Sequence, residues 1–401
     1  MCCALALLLP STGLGQSSGS PAATSPQAEA GKAAAQPAPS ASATKKPRTK
    51  PALSEEKRER LADQLLDAVE GGNLAAVQRL LAAGADPDAR DEHQVTALMI
   101  AAEGSNPELA QALLEAGADL NAQDEAGWTA LITAADRGQL PLLQLLLEKG
   151  ADPNLADENG WTPLIAASLG GQVEVVQALL AAGADPNCRD RGQTTVLMFA
   201  AAAGESRIVP LLLEAQARFA RRAGAPPPGA KPAGGLEARD AGGWTALHHA
   251  ASQWQTEVVR LLLARGAEVE ARNRSGWTSL MLGANNGDTE TVQILLARGA
   301  SANATTPSGM SALMVAANKG DAGTVKALLG AGADPNRAAR DGRTALMEAA
   351  GEGRLEATQA LLAGGANVNA RTPAGVTALQ RALRRKDAAE VVVALQQAGA
   401  K

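Results

Sequence analysis

The chain has 401 residues and a formal net charge of −5, with 46% hydrophobic residues but no Tyr, two Phe and five Trp. So few aromatics argue against large compact globules, and the negative balance excludes a generally basic nucleic-acid binder. Cys2, Cys3 and Cys188 are too few for a disulfide framework or a four-thiolate zinc site, and no apolar stretch reaches the length of a membrane-spanning helix.

Residues 2–9 form a short apolar run, followed by Pro10 and the small-residue triplet Gly13-Leu14-Gly15. A small-x-small triplet after an apolar segment is what signal-peptidase cleavage needs. On this reading residues 1–15 are a signal peptide and the mature chain is exported to a periplasmic or extracellular compartment of a bacterium. The run lacks the basic residues that normally precede such a segment, so an accidental resemblance and a cytoplasmic protein stay open. Residues 16–54 are Ala, Pro, Ser, Thr, Gln and Lys, with little to bury, and read as a disordered linker. The linker holds five basic residues against Glu29, a net +4, so 55–401 carries −9 of the total of −5.

From residue 55 onward one period dominates. Thr96, Thr129, Thr162 and Thr195 are 33 apart, and Thr245, Thr278, Ser311, Thr344 and Thr377 continue at 33. Each opens a similar octet: VTALMIAA, WTALITAA, WTPLIAAS and TTVLMFAA, then WTALHHAA, WTSLMLGA, MSALMVAA, RTALMEAA and VTALQRAL. The step from Thr195 to Thr245 is 50, which is 33 plus 17, and a step of 33 back from Thr96 reaches a degenerate copy at Asp63. Ten units of 33 plus the 17 extra residues account for the 347 residues from Glu55 to Lys401. No second domain fits in what is left.

After the repeat Thr or Ser, a Leu two residues on and, in most units, an Ala pair at five and six residues on make one narrow apolar helix face. A second helix carries a Leu pair, as in Leu113-Leu114, Leu179-Leu180 and Leu328-Leu329, and is closed by a recurring Gly at 84, 117, 150, 183, 266, 299, 332 and 365. One unit of this length cannot bury both faces, so neighbours must stack. Ser54 begins a polar first helix with Glu55 and Glu56 in its first turn, and Arg384, Arg385 and Lys386 make the last unit polar, as the ends of a stack require.

The stretch Asp240-Ala-Gly-Gly-Trp-Thr-Ala-Leu-His-His-Ala-Ala, continued by Val258-Val-Arg-Leu-Leu-Leu-Ala-Arg-Gly-Ala, resembles the ankyrin repeat, D-x-x-G-x-T-P-L-H-x-A-A followed by V-x-x-L-L-x-x-G-A. The resemblance recurs through 55–401. It implies an all-α solenoid of paired antiparallel helices with projecting hairpins, in a curved, right-angled stack. It also implies a non-catalytic module that binds partner proteins on its concave face.

The chemistry-bearing side chains point the same way. His248 and His249 are adjacent on a helix, about 100° apart, and cannot share a metal. His248 occupies the repeat's own histidine position, where Met99, Met198, Met281, Met314 and Met347 stand in other units as core filler. His93 lies in a hairpin, Cys188 has no cysteine or histidine beside it, and residues 152–160 lack the alternating ligands and closing Glu of a calcium loop. No phosphate-binding G-x-x-x-x-G-K-[ST] and no H-E-x-x-H occurs. The expectation is no enzyme, no metal and no cofactor.

In the family the residue before the repeat Thr faces the partner. Here that row reads Val95, Trp128, Trp161, Thr194, Trp244, Trp277, Met310, Arg343 and Val376. Four tryptophans at one register suit binding anchors; equally, each ring can serve to stiffen its hairpin. The 17 extra residues fall at 219–235 and, with Arg218, Arg221 and Arg222, read as a basic protruding loop rich in Pro and Gly. The expected partner-binding set is therefore Trp128, Trp161, Trp244, Trp277, Met310, Arg343, Arg218, Arg221 and Arg222, on a monomer that binds another protein. Alternatives are an immunity or protective subunit acting on a specific enzyme and, against the acidic balance, a nucleic-acid or lipid binder acting through its basic segments.

Overall fold

The computed structural model describes residues 54–223 and 235–401. The signal-peptide and linker readings, and most of the 219–235 insertion, lie outside the described residues.

Among the described residues twenty helices follow one another in pairs. In chain order they are α1 (Glu55–Glu70) with α2 (Leu74–Ala82), α3 (Ala97–Glu103) with α4 (Pro107–Glu115), and α5 (Ala130–Asp136) with α6 (Leu140–Glu148). Next come α7 (Pro163–Leu169) with α8 (Val173–Ala181), α9 (Val196–Ala203) with α10 (Ile208–Ala223), and α11 (Ala246–Ser252) with α12 (Thr256–Ala264). Then follow α13 (Ser279–Asn286) with α14 (Thr289–Ala297), α15 (Ala312–Lys319) with α16 (Ala322–Gly330), α17 (Ala345–Gly351) with α18 (Leu355–Ala363), and α19 (Ala378–Leu383) with α20 (Ala389–Gln397). Among the described residues there is no strand; single antiparallel bridges such as Arg90 with Thr96 and Arg189 with Thr195 pin some hairpins. The chain is an all-α stack of helical hairpins.

The repeated Thr or Ser starts each first helix because its hydroxyl accepts the N–H three residues on, at 3.1–3.4 Å in eight units. Two methionines complete the cap from the other side: the N–H groups of Thr96 and Thr195 point at the sulfurs of Met99 and Met198 at 3.4 Å. The five repeat methionines are all buried, as core filler must be. At α1, Ser54 stands at the N-cap but its side chain makes no capping bond; only its carbonyl serves the helix.

Between units the first helices pack in sequence from α1 to α19, and the second helices likewise from α2 to α10 and from α12 to α20. The Ala pair is buried in the inner units, which lets these short helices approach closely. Of each Leu pair only the first member is fully enclosed: Leu113, Leu146, Leu179, Leu212, Leu262, Leu295, Leu328 and Leu361 are all at 0% exposure. The Gly after each second helix is left-handed, with φ from 83° to 98° at the eight positions expected.

Hairpins add polar staples. An Asp, Asn or Glu oxygen accepts the N–H that lies 31 residues on, as Asp88 does from Asp119 at 2.7 Å and Asn154 from Asp185 at 2.8 Å. Hairpin tips also bond to each other, and the Ala241 N–H to the Gly192 carbonyl at 2.9 Å carries that row across the insertion. Since α9 packs directly on α11, the extra residues leave the stack of first helices unbroken.

Two expectations need correction. The insertion does not begin as a loop: α10 has 16 residues where the other second helices have nine, and it continues through Phe219 to Ala223. Gln216 stands where a left-handed Gly would stop the helix, and its side chain donates to the Pro186 carbonyl at 2.9 Å. The C-terminal end is also less polar than expected. Leu383, at the register of the second Ala of the pair, is 61% exposed, because no further unit covers it among the described residues.

Candidate recognition face

The row before the repeat Thr is built by one device. Four residues earlier an Asp or Asn side-chain oxygen accepts the backbone N–H of the row residue, at 2.8 Å for Val95 and Trp128, 2.7 Å for Trp161 and Thr194, 2.8 Å for Trp244 and 2.9 Å for Trp277. Thr306 and Thr372 do the same with hydroxyls for Met310 and Val376, at 3.1 Å. Arg343 departs from the scheme, since Ala339 has no acceptor; its N–H is taken by Asp341 instead.

Every row residue is half-buried. Trp161, Trp244, Trp277 and Met310 rest one side on the core, whereas Trp128 is held without that support. Trp161 meets Phe199 edge-on, with ring centroids 5.4 Å apart, and Trp244 lies 5.3 Å from the His249 ring. Trp161, Trp244 and Trp277 are therefore backed by the core while part of each ring stays accessible.

The arginines of the insertion are placed elsewhere. Arg218 and Arg221 lie on α10; Arg218 pairs with Glu214 one turn back at 3.7 Å, and Arg221 bonds the carbonyl of Ala217. The side chain of Arg222 lies outside the described residues. Arg218 lines an 800 Å³ groove between α8 and α10 with Leu180, Pro186, Leu211 and Phe219, and none of the row residues lines it. The structure thus brings the four tryptophans, Met310 and Arg343 into one row and sets Arg218 and Arg221 on a second-helix feature.

The histidines have local duties. His248 is fully buried; its Nδ1 takes the N–H of Thr245 at 3.2 Å, so the proton sits on Nε2, which points at the Trp277 carbonyl at 3.1 Å. Burial lowers its pKa to about 4. His249 bonds the Asp240 carboxylate through Nε2 at 2.9 Å and so ties α11 to the hairpin that presents Trp244. Burial raises the Asp240 pKa, but bonds from His249 and from the N–H groups of Trp244 and Gly242 outweigh it, and the net shift is downward. His93 is exposed among Glu92 and Glu125. The Cys188 thiol accepts from the Thr162 hydroxyl, and burial pushes its pKa up to about 12, which leaves no thiolate for chemistry near neutral pH.

The oxygens of residues 152–160 are spent on the hairpin itself: Asp152 accepts from Asn154, Asp157 from Asn159 and Trp161, and Asn154 from Asp185. Among the described residues no group of three or more His, Cys, Asp or Glu is placed to hold a metal, and no helix is long and apolar enough to cross a membrane.

Two residues, Ser105 with φ 55° and Trp254, stand at a register that most other units fill with Gly. In the turn between first and second helix the backbone is left-handed, and Gly72, Gly138, Gly171, Gly204, Gly287, Gly320 and Gly353 occupy it with φ from 68° to 87°. Trp254 stands there in its unit with φ 62° and is 58% exposed. A bulky side chain in this region is strained and, this far out of the fold, gains little from burial. The signal was present in the sequence, because the same step of 33 that aligns the Gly residues aligns Trp254 with them.

A family model described as ankyrin repeats (3 copies) matches residues 65–157, 134–223, 232–306 and 313–401. No curated protein matches the chain.

Proposed function

Because the chain belongs to the ankyrin-repeat family, whose members are generally protein–protein interaction modules and typically non-catalytic scaffolds, we propose that it binds one partner protein, noncovalently and without a cofactor, through the row that runs from Trp128 to Arg343. The observation that carries this reading is the clamping of Trp128, Trp161, Trp244 and Trp277 at one register by hairpin Asp or Asn oxygens at 2.7–2.9 Å. A backbone pinned at one register costs little further ordering on binding, and the half-buried rings it presents offer large area to desolvate, as an interface hot spot requires.

Cross-linking and mass spectrometry of the tagged protein in its own host identifies the partner. Trp161→Ala and Trp244→Ala should then each weaken the complex by roughly 1–3 kcal/mol. If these variants instead unfold at lower denaturant while binding per folded molecule is unchanged, the rings serve only to stiffen the hairpins.

A further inference from the structure

At the end of the row the last two units form a cavity of about 610 Å³ between α17, α19 and their hairpins. Four guanidinium groups border it, those of Arg343, Arg381, Arg384 and Arg385, against one carboxylate, that of Asp341. Beneath them lies Glu348, whose side chain is 5% exposed and which holds Arg343 at 2.9 Å and Arg381 at 3.4 Å. Its register is occupied in other units by Ile100, Thr133, Ala166, Phe199, His249, Leu282, Val315 and Arg381, so Glu348 is the one carboxylate there among the units that carry the repeat Thr or Ser. A carboxylate is costly to bury unless it is paired; here it faces two guanidiniums and fixes their direction.

The backbone makes room for this arrangement. A Cβ on Gly351 would come within 2.6 Å of the Arg381 Nε, so any larger residue would push that guanidinium away. Arg385 is engaged by Glu352 at 3.5 Å and Asp387 at 2.8 Å. The Arg384 side chain is exposed and makes no hydrogen bond or ion pair among the described residues. The site thus has two guanidiniums oriented by a buried carboxylate, one of them, Arg343, also held at its Nε by Asp341, and a third with its donors free.

The opposite end of the same face has the opposite sign. At the register of Arg384 the second unit carries Glu103, which with Asp63, Asp67, Glu70, Asp91 and Glu92 lines an acidic groove. An acidic segment is drawn to one end of the row and repelled from the other, which sets its direction.

We propose that the arginine cavity docks an acidic segment of the partner protein, with Asp or Glu carboxylates received by Arg343, Arg381 and Arg384. A planar carboxylate matches the guanidinium fork, and the apolar row beginning at Met310 and Trp277 continues the path for the rest of a polypeptide. This deepens the reading of the row as a protein-binding face and rests on it.

Fluorescence anisotropy with the purified full chain tests the site, using fluorescein-labelled octaglutamate and octaglutamine as probes. Octaglutamate should bind and octaglutamine should not, and Arg384→Glu should weaken octaglutamate by about tenfold or more at an unchanged melting temperature. Glu348→Gln separates orientation from charge. It makes the cavity more positive, so simple attraction tightens binding, whereas loss of the clamp on Arg343 and Arg381 weakens it; weakening is the expected result. Equal binding of both peptides, indifference to Arg384→Glu, or tighter binding by Glu348→Gln overturns the proposal. Displacement by equimolar inorganic phosphate overturns the assignment to a carboxylate segment. With the cross-linked partner in hand, loss of binding in Trp161→Ala but full retention in Arg384→Glu sinks only the arginine site, and retention in both sinks the recognition face itself.

Discussion

Burial keeps His248 uncharged near neutral pH and outweighs the bond to the Trp277 carbonyl, which favours the protonated ring. Its folded pKa of about 4 lies below the ordinary 6.5, so between these values the unfolded chain binds more protons than the folded one. The contribution to stability is therefore complete above pH 6.5 and lost as the pH falls toward 4, an effect on the order of 3 kcal/mol. His248→Met installs the residue that five other units carry, and urea midpoints at neutral and acid pH should show a smaller acid loss than in the parent. Asp240, also held low, adds a loss of the same sign, but it acts in both proteins and cancels from the comparison. Leu179 is fully enclosed, and Leu179→Ala should cost about 2–5 kcal/mol by the same assay. An unchanged midpoint would show that the core register is wrong. At Trp254 the strain itself is measurable: because Gly accepts a left-handed backbone and Ala does not, Trp254→Gly should be more stable than Trp254→Ala by about 1 kcal/mol.

Among the helices, α10 departs most from the repeat, and its length has a local cause. The other second helices end where a Gly turns left-handed, but Gln216 carries the helix on through seven more residues and binds the Pro186 carbonyl. Gln216→Gly should restore the stop. Amides of residues 217–223 should then exchange hydrogen rapidly, while those of α8 and α9 keep their protection, because the packing of α8, α9 and α11 does not depend on the extra turns. Equal protection of 217–223 in both proteins would mean that tertiary contact, and not the missing Gly, extends the helix. The groove lined by Leu180, Leu211 and Phe219 depends on those extra turns and should open with them.

For the stack as a whole, stability is a sum of units and the interfaces between neighbours. Removing α19 and α20 takes away one interface and bares another, so a truncated chain should remain folded with a lower urea midpoint. The loss should be smaller than for deletion of an inner pair, which removes contacts on two sides. An all-or-none collapse on removing the last pair would contradict nearest-neighbour coupling. The staples at 31-residue spacing join units pairwise and follow the same logic.

The step of 33, the Thr caps, the Ala pairs and the Gly stops were legible in sequence because each is a local rule repeated many times. Repetition averages out the exceptions. It identified the helices, the Leu pairs, the structural place of His248 and the row of tryptophans; which Leu of each pair is enclosed came from the structure. Interactions between individual side chains of neighbouring units, such as Arg381 with Glu348, emerged only in the structure. The half-burial of the tryptophans, the continuation of α10 and the exposure of Leu383 were decided by the tertiary structure. Each depends on what the neighbouring unit places against a side chain, and a one-dimensional period carries the positions of neighbours but not the space between them.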